Sequence, residues 1–282
     1  MKIKSLQRTV FSRLLTQFDG GEAKVFADML LRYYTGHNPI SLNLNPQTEI
    51  ENAVVEQIDS AVAELFEHKP IQYILGETEF CGLKIKVNSS VLIPRPETEE
   101  LAMWVLAENP QVENLLDLCT GSGCIAVYLA KKLKNARLTG VDISRDALQI
   151  AFENAKRNKA EIDFFAADIL QPDFSLGKQF DVIVSNPPYV RELEKRQMHA
   201  RVLNYEPHSA LFVNDDNPLL FYKAIARIGT THLTENGKLY LEINEAYGNE
   251  TANILQQFDY KDIVLKKDIH GKDRMLCGTK SC

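Results

Sequence analysis

No two of the five cysteines, at positions 81, 119, 124, 277 and 282, form a Cys-x-x-Cys pair, and their number is odd. That pattern argues against a disulfide framework or a zinc site, and a reducing compartment such as the cytoplasm is expected. The six histidines are scattered without His-Glu-x-x-His or similar spacing, so no metal is expected. An excess of basic charge is missing too. The formal net charge of −6 argues against an extensive grip on nucleic acid. No apolar run approaches the roughly 18–20 residues of a membrane span. Arg8 and Arg13 break the opening "MKIKSLQRTVFSRLL" as the apolar core of a signal peptide. Repeats and low-complexity segments are absent. With 45% hydrophobic and 25% charged residues over 282 positions, the chain has the composition of a globular protein of one large or two smaller domains.

Residues 1–75 read as helical. Leu6, Val10, Leu14 and Leu15 recur at helical spacing, as do Val25, Met29, Leu30 and Tyr33. Ile50, Val54, Ile58, Val62 and Leu65 form a further stripe, with Thr48 and Glu51 placed for a capping box and Lys69-Pro70 closing the helix. Six acidic residues and no Lys or Arg lie between Glu49 and Glu67, which reads as a solvated helix face. Near Gly76 the period changes to two. Leu83, Ile85 and Val87 alternate with Gly82, Lys84 and Lys86, and Asn88-Ser89-Ser90 has turn chemistry, so a β-hairpin is expected. Pro96 then suits the first turn of an acidic-started helix. The expected organisation is a helical bundle over 1–75, a hairpin linker over 76–93 and a second domain over 94–282.

From residue 112 onward short apolar runs alternate with helical patterns: "NLLDLC", "GCIAVYLAKKL", "ARLTGVDI", then a helix capped by Ser144, "IDFFAAD", "FDVIVSN", a helix within 217–233, "GKLYLEI" and "DIVLK". This is an α/β pattern for a mostly parallel, doubly wound sheet. Ligands bind such sheets at the carboxyl ends of the strands. Four of these ends carry polar or small residues. In the first, Gly121 and Gly123 of Asp117-Leu118-Cys119-Thr120-Gly121-Ser122-Gly123 allow close approach to the backbone ahead of a helix N-terminus. Asp142, roughly 20 residues later, suits two ribose hydroxyls. Glycine turn and acid together point to an adenosine-containing cofactor. A dinucleotide is not excluded by them, because Gly121-x-Gly123-x-x-Ala126 also fits its fingerprint. Asp168 suits an adenine amino group, or equally a structural turn.

The fourth end, Asn186-Pro187-Pro188-Tyr189, distinguishes between cofactors. The prolines end the strand and stiffen an amide on one side and an aromatic ring on the other. Hydride transfer has no evident use for this cluster, whereas methylation of a planar, poorly nucleophilic –NH₂ group does. The Asn186 side-chain oxygen and the Pro187 carbonyl can each accept one N–H, and Tyr189 can cover the π-face. The nitrogen is then aimed at a methyl donor while positive charge develops on it.

The motifs "DLCTGSG", "VDIS", "AAD" and "SNPPYV", in this order, resemble those of class I S-adenosylmethionine-dependent methyltransferases acting on –NH₂ groups. "VLIPRPETEEL", "NYEPHSALF" and Gly271-Lys272-Asp273-Arg274 narrow the resemblance to the N5-glutamine methyltransferases of peptide chain release factors. It runs over essentially the whole chain. It implies a Rossmann-like domain with a mostly parallel seven-stranded sheet, and an N-terminal helical domain that holds the protein substrate. By the same resemblance Cys119, Thr120, Gly121, Ser122 and Gly123 form the cofactor loop. Asp142 would hold the ribose, Asp168 and Ile169 would flank the adenine, and Asn186 would face both donor and substrate. Asn186, Pro187, Pro188 and Tyr189 would bind a glutamine, with Asn186, Pro187 and Tyr189 as the catalytic group and Arg95, Pro96 and Glu97 lining the same cleft. The implied partner is a class-1 release factor with its Gly-Gly-Gln segment, without stable nucleic acid or membrane binding.

Three positions depart from the family pattern. Cys119 replaces the usual glycine, so the backbone there is expected to avoid positive φ. "LFVNDDNPLLFY" lacks the usual glycines, and Ile169 stands where a larger side chain occurs. The rivals are an adenine-N6 DNA methyltransferase, disfavoured by the acidic chain, and a ribosomal-protein glutamine methyltransferase, disfavoured by "PRPETE" in place of Pro-Arg-Ser-Pro. A non-catalytic cofactor binder is disfavoured by the intact Asn186–Tyr189 cluster. Trp104 reads as core.

Overall fold

In the computed structural model, which describes residues 1–37 and 44–281, the first unit comprises residues 1–76 together with 199–205. Cys282 lies outside the described residues. Helices α1 (Ile3–Leu14), α2 (Gly20–Thr35), α3 (Asn52–Phe66) and α4 (Ile71–Leu75) share one apolar core that includes Leu6, Val10, Leu14, Leu30, Ile58, Val62 and Leu65. Asp19 caps α2 by accepting from the Gly21 and Glu22 amides, and Gly36 ends it at φ +71°. Two expectations are corrected here. The buried face of α2 is Ala23, Phe26, Ala27, Leu30 and Leu31, while Val25 and Tyr33 are exposed. The small alanines supply close packing, a contribution that a stripe of large residues does not reveal. No capping box forms before α3 either: Glu51 is its N-cap without a side-chain bond, and the Thr48 hydroxyl donates to the Asn45 carbonyl.

A late segment of the chain completes this unit. Within His199–Tyr205, which contains α8 (Ala200–Tyr205), Arg201 pairs with Glu22 and lies over the rings of Phe18 and Phe26, 5.2 and 5.0 Å from their centroids. The Tyr205 hydroxyl donates to the Glu67 carbonyl at 2.7 Å.

The second unit holds Glu77–Met198 and the chain from Glu206 onward. It opens with the hairpin β1 (Glu77–Phe80) and β2 (Leu83–Lys86), followed by α5 (Pro96–Glu108), whose first turn contains Pro96, Glu97 and Glu99. The hairpin turns at Cys81-Gly82, both at positive φ, and not at Asn88-Ser89-Ser90. Asn88 makes a second turn instead, its side chain accepting from the Ser90 amide.

The sheet contains β3 (Asn114–Leu118), β4 (Arg137–Asp142), β5 (Ile162–Ala166), β6 (Phe180–Ser185), β9 (Leu233–Glu242), β10 (Tyr260–Lys267) and β11 (Asp273–Lys280), in the order β10-β11-β9-β6-β3-β4-β5. Only β11 runs against its neighbours. Leu116, Leu118, Ile183, Leu239 and Leu241 have no exposed surface, as expected for strands covered on both faces. The connecting helices are α6 (Cys124–Lys132), α7 (Arg145–Asn158, capped by Ser144), α9 (Leu220–His232) and α10 (Gly248–Gln257). A short parallel pair, β7 (Val190–Arg191) with β8 (Phe212–Val213), lies outside the main sheet. Trp104 stacks edge-on against Tyr240. Among the described residues no helix is long and apolar enough to cross a membrane.

Asn154 of α7 ties the hairpin to the turn after β3. Its Nδ2 donates to the carbonyls of Lys86 and Ser122, both at 2.9 Å, while its Oδ1 accepts from the Lys86 amide at 2.6 Å. The side chain is fully buried, so Asn154→Ala leaves three backbone groups without this partner, the Ser122 carbonyl in a buried position. The expected loss is about 2–4 kcal/mol, read as a lower midpoint in urea unfolding.

Candidate functional site

Parallel register sets the site. Leu118 lies opposite Val141 of β4 and Ser185 of β6, and Asp142 lies opposite Ala166 of β5. The residues that follow these strand ends therefore emerge along one edge, around a cavity of about 280 Å³. Cys119, Thr120, Gly121, Ser122, Asp142, Asp168, Ile169, Asn186 and Pro188 line it, so the four strand ends singled out in the sequence meet in one place. Gly123, Pro187 and Tyr189 are adjacent in the chain but do not line the wall.

The glycine turn is held from below and from the side. Thr120 Oγ1 donates to Asp117 Oδ2 at 2.6 Å, the Thr120 amide donates to the Val141 carbonyl, and the Gly121 amide donates to Asp142 Oδ2 at 2.8 Å. Gly123 at φ +75° starts α6, where a Cβ would stand 3.0 Å from the Ala151 Cβ; the glycine lets α6 approach α7. Cys119 overturns its expectation: its φ is +58°. The turn out of β3 requires a left-handed residue whether or not it is glycine. Cysteine, which is not β-branched, occupies it at a cost of about 1–2 kcal/mol.

Asp142 Oδ1 accepts from the Ser144 amide at 2.9 Å, so each carboxylate oxygen holds one backbone amide and keeps lone-pair capacity for a hydroxyl ligand. Burial pushes its pKa up, and the amides of Ser144, Gly121 and Ile143 oppose the rise. Ile143 beside it is 64% exposed although apolar, and it forms part of the cavity wall. Asp168 makes the turn that its sequence allowed, accepting from the Leu170 amide at 2.9 Å and from Gln171 Nε2 at 2.8 Å, and it also faces the cavity, above buried Ile169. The chain after β8, which lacks glycine, turns on Asn214, whose side chain accepts from the Asp216 amide.

Three further residues, Thr98, Glu242 and Asn244, belong to this constellation and were not singled out in the sequence. Asn186 Nδ2 donates to Thr98 Oγ1 at 3.0 Å, Thr98 Oγ1 donates to Glu242 Oε2 at 2.7 Å, and the Tyr189 hydroxyl donates to Glu242 Oε1 at 2.9 Å. Burial raises the pKa of Glu242, against the hydroxyls of Thr98 and Tyr189; burial and the Glu242 charge raise that of Tyr189. Asn244 Nδ2 donates to the Tyr189 carbonyl at 3.1 Å. The signal was a fifth strand end, an acid at the close of "GKLYLEI". Arg95, Pro96 and Glu97 do not line the cavity; Pro94 does. Arg95 instead pairs with buried Glu206, which also accepts from the Ile93 amide at 3.1 Å.

Together the wall offers a carboxylate acceptor, a second acid, apolar faces and a glycine turn, a donor set suited to the polar and flat parts of an adenosine. Residues 97–214 match the family model "Methyltransferase small domain", and residues 8–76 match "PrmC N-terminal domain". A protein of Flavobacterium psychrophilum named release factor glutamine methyltransferase is 46% identical, over 98% of both chains. One of the same name from Bacteroides thetaiotaomicron is 44% identical, over 91% of this chain and 90% of its own. Among solved structures, a methyltransferase from Pyrococcus furiosus superposes with a TM-score of 0.53 at 19% identity, covering 72% of this chain and 91% of its own. That likeness bears on the fold alone.

Asp117 yields a pH prediction. It is fully buried beneath the turn, and burial lifts its carboxyl from 3.8 to about 7, although the Thr120 hydroxyl and the Ala126 amide favour the charge. A raised acid binds its proton more tightly in the folded state. Its stabilising contribution is therefore complete below the unfolded value and is lost as pH rises through the folded one. Stability should fall by up to about 1.4 kcal/mol per pH unit between the two, and Asp117→Asn should remove that slope in urea unfolding across pH 4–7.

Proposed function

The chain belongs to the release factor glutamine methyltransferase family, and from that premise we propose that it moves a methyl group from S-adenosylmethionine to the side-chain amide nitrogen of a glutamine in a class-1 release factor. The glutamine is that of the Gly-Gly-Gln segment, and the compartment is the cytoplasm, where translation terminates. The observation that carries this reading is the meeting of the Asn186–Tyr189 turn, the Cys119–Gly123 turn and Asp142 around one cavity.

When bound, the cofactor supplies an electrophilic methyl group on a sulfonium. Asp142 would accept from the ribose hydroxyls, Asp168 and Ile169 would flank the adenine, and the turn from Cys119 to Gly123 would carry the amino-acid end. Asn186 Oδ1 and the Pro187 carbonyl would each accept one N–H of the substrate amide, holding its plane, while Tyr189 would anchor the turn behind them through its bond to Glu242. Charge developing on the nitrogen strengthens both hydrogen bonds, so they favour the transition state over the bound substrate. No base is needed before attack, since the proton can leave after transfer. The helical unit would present the release factor, with the domain over 94–282 carrying the chemistry and 76–93 joining them in sequence. Arg95, paired with Glu206, would shape this part of the site rather than contact the glutamine.

Asp142→Ala should weaken S-adenosylmethionine binding at least about tenfold in calorimetry, through loss of charge-assisted hydrogen bonds; unchanged binding would count against the assignment. Asn186→Ala should lower kcat on purified release factor by roughly 10²-fold. Asn186→Asp keeps an acceptor oxygen and should retain more activity than Asn186→Ala. Wild-type turnover in Asn186→Ala would reduce the cluster to a strand-ending turn.

A further inference from the structure

The two ends of an asparagine amide have nearly the same shape, so packing alone cannot decide which faces a ligand. Hydrogen-bond order can. Glu242 is 1% exposed and Thr98 3%. A carboxylate only accepts, so the single hydroxyl hydrogen of Thr98 is committed to Glu242 Oε2 at 2.7 Å. Thr98 Oγ1 then has only lone pairs to offer Asn186, and it receives Nδ2 at 3.0 Å. The amide nitrogen is thereby turned to Thr98 and Oδ1 is left to the cavity, which Asn186 and Thr98 both line.

We propose that Thr98 and Glu242 are positioning residues for methyl transfer, locking the Asn186 amide with its oxygen towards the substrate nitrogen. The inference rests on the reading above, in which Asn186 receives the –NH₂ group. A flipped Asn186 would present its own –NH₂ to that of the substrate, two donors with nothing to accept. The same carboxylate takes the Tyr189 hydroxyl at 2.9 Å, so one buried acid sets both sides of the turn. Among the other charges, Arg274 favours ionised Glu242 and Glu97 opposes it. A site that needed only packing here could do without a buried carboxylate, which is costly to desolvate.

The test uses the full-length protein with S-adenosylmethionine and purified release factor. Thr98→Val keeps the shape and removes the hydroxyl, whereas Thr98→Ser keeps the hydroxyl. Thr98→Val should lower kcat at least about tenfold, as expected for a lost orienting contact at a reacting centre. The KM for release factor and the calorimetric Kd for S-adenosylmethionine should stay within about threefold. Thr98→Ser should keep kcat within about threefold of wild type. Glu242→Gln should also lower kcat at least about tenfold, because its amide can donate to Thr98 and free the Thr98 hydrogen to turn towards Asn186 Oδ1. It carries the test if Thr98→Val fails to fold. Wild-type kcat in Thr98→Val or in Glu242→Gln overturns the positioning role. So do equal losses in the Val and Ser variants that track lowered thermal stability. Absence of transfer by the wild-type protein with S-adenosylmethionine demonstrably bound would overturn the functional reading itself.

Discussion

The placement of Leu118 between Val141 and Ser185 is the constraint on which the site depends. Side chains alternate along a strand, so a slip of one residue would turn every cavity-facing group to the opposite face. The flanking strands are buried from Leu138 to Val141 and from Val182 to Ser185, and Arg137 and Asp142 stand at the two ends of the first, so a slip would draw a charged residue into the buried stretch. Residues separated by tens of positions, Cys119, Asp142, Asp168 and Asn186, are thus delivered to one edge by backbone pairing, before any contact among their side chains.

Beneath this edge the structure buries two carboxylates, Asp117 and Glu242, and answers each with threonine. Thr120 serves the first and Thr98 the second, Tyr189 adding a second hydroxyl to Glu242. Neutral hydroxyls bring a proton without bringing a charge of their own, so burial still raises both acids, and for Glu242 the charge of Arg274 opposes the rise. What the hydroxyls provide is direction. Each donor points to one oxygen, and the next group along is left with a single way to bond.

Much of this was legible in the sequence because period and punctuation coincide. Apolar runs ended by glycine, aspartate or proline mark β3, β4 and β6, and the residues at their ends line the cavity. Other parts were illegible for physical reasons. Thr98 sits inside a helix start and Glu242 at the end of a strand read for its apolar residues; a pairing 144 residues apart has no local signature. At Cys119 a rule about residue preference lost to a turn that geometry requires. In α2 the alanines Ala23 and Ala27 pack closely where larger neighbours drew attention. Cys81-Gly82 outcompeted Asn88-Ser89-Ser90 because a two-residue turn at positive φ suits the twist of a hairpin.

Helix α8 has a consequence for how the chain comes into being. The first 76 residues leave the ribosome long before Arg201 exists, and its partner Glu22 waits 179 positions for it. Until then Phe18 and Phe26 lack the cation that lies over them. The first unit to be synthesised is thus completed only after four strands of the other unit's sheet, β3 to β6, have been made. Closing so long a loop is slow compared with local helix formation. In sequence order, then, the packing of α1–α3 is completed by a segment made late, between Tyr189 and Glu206.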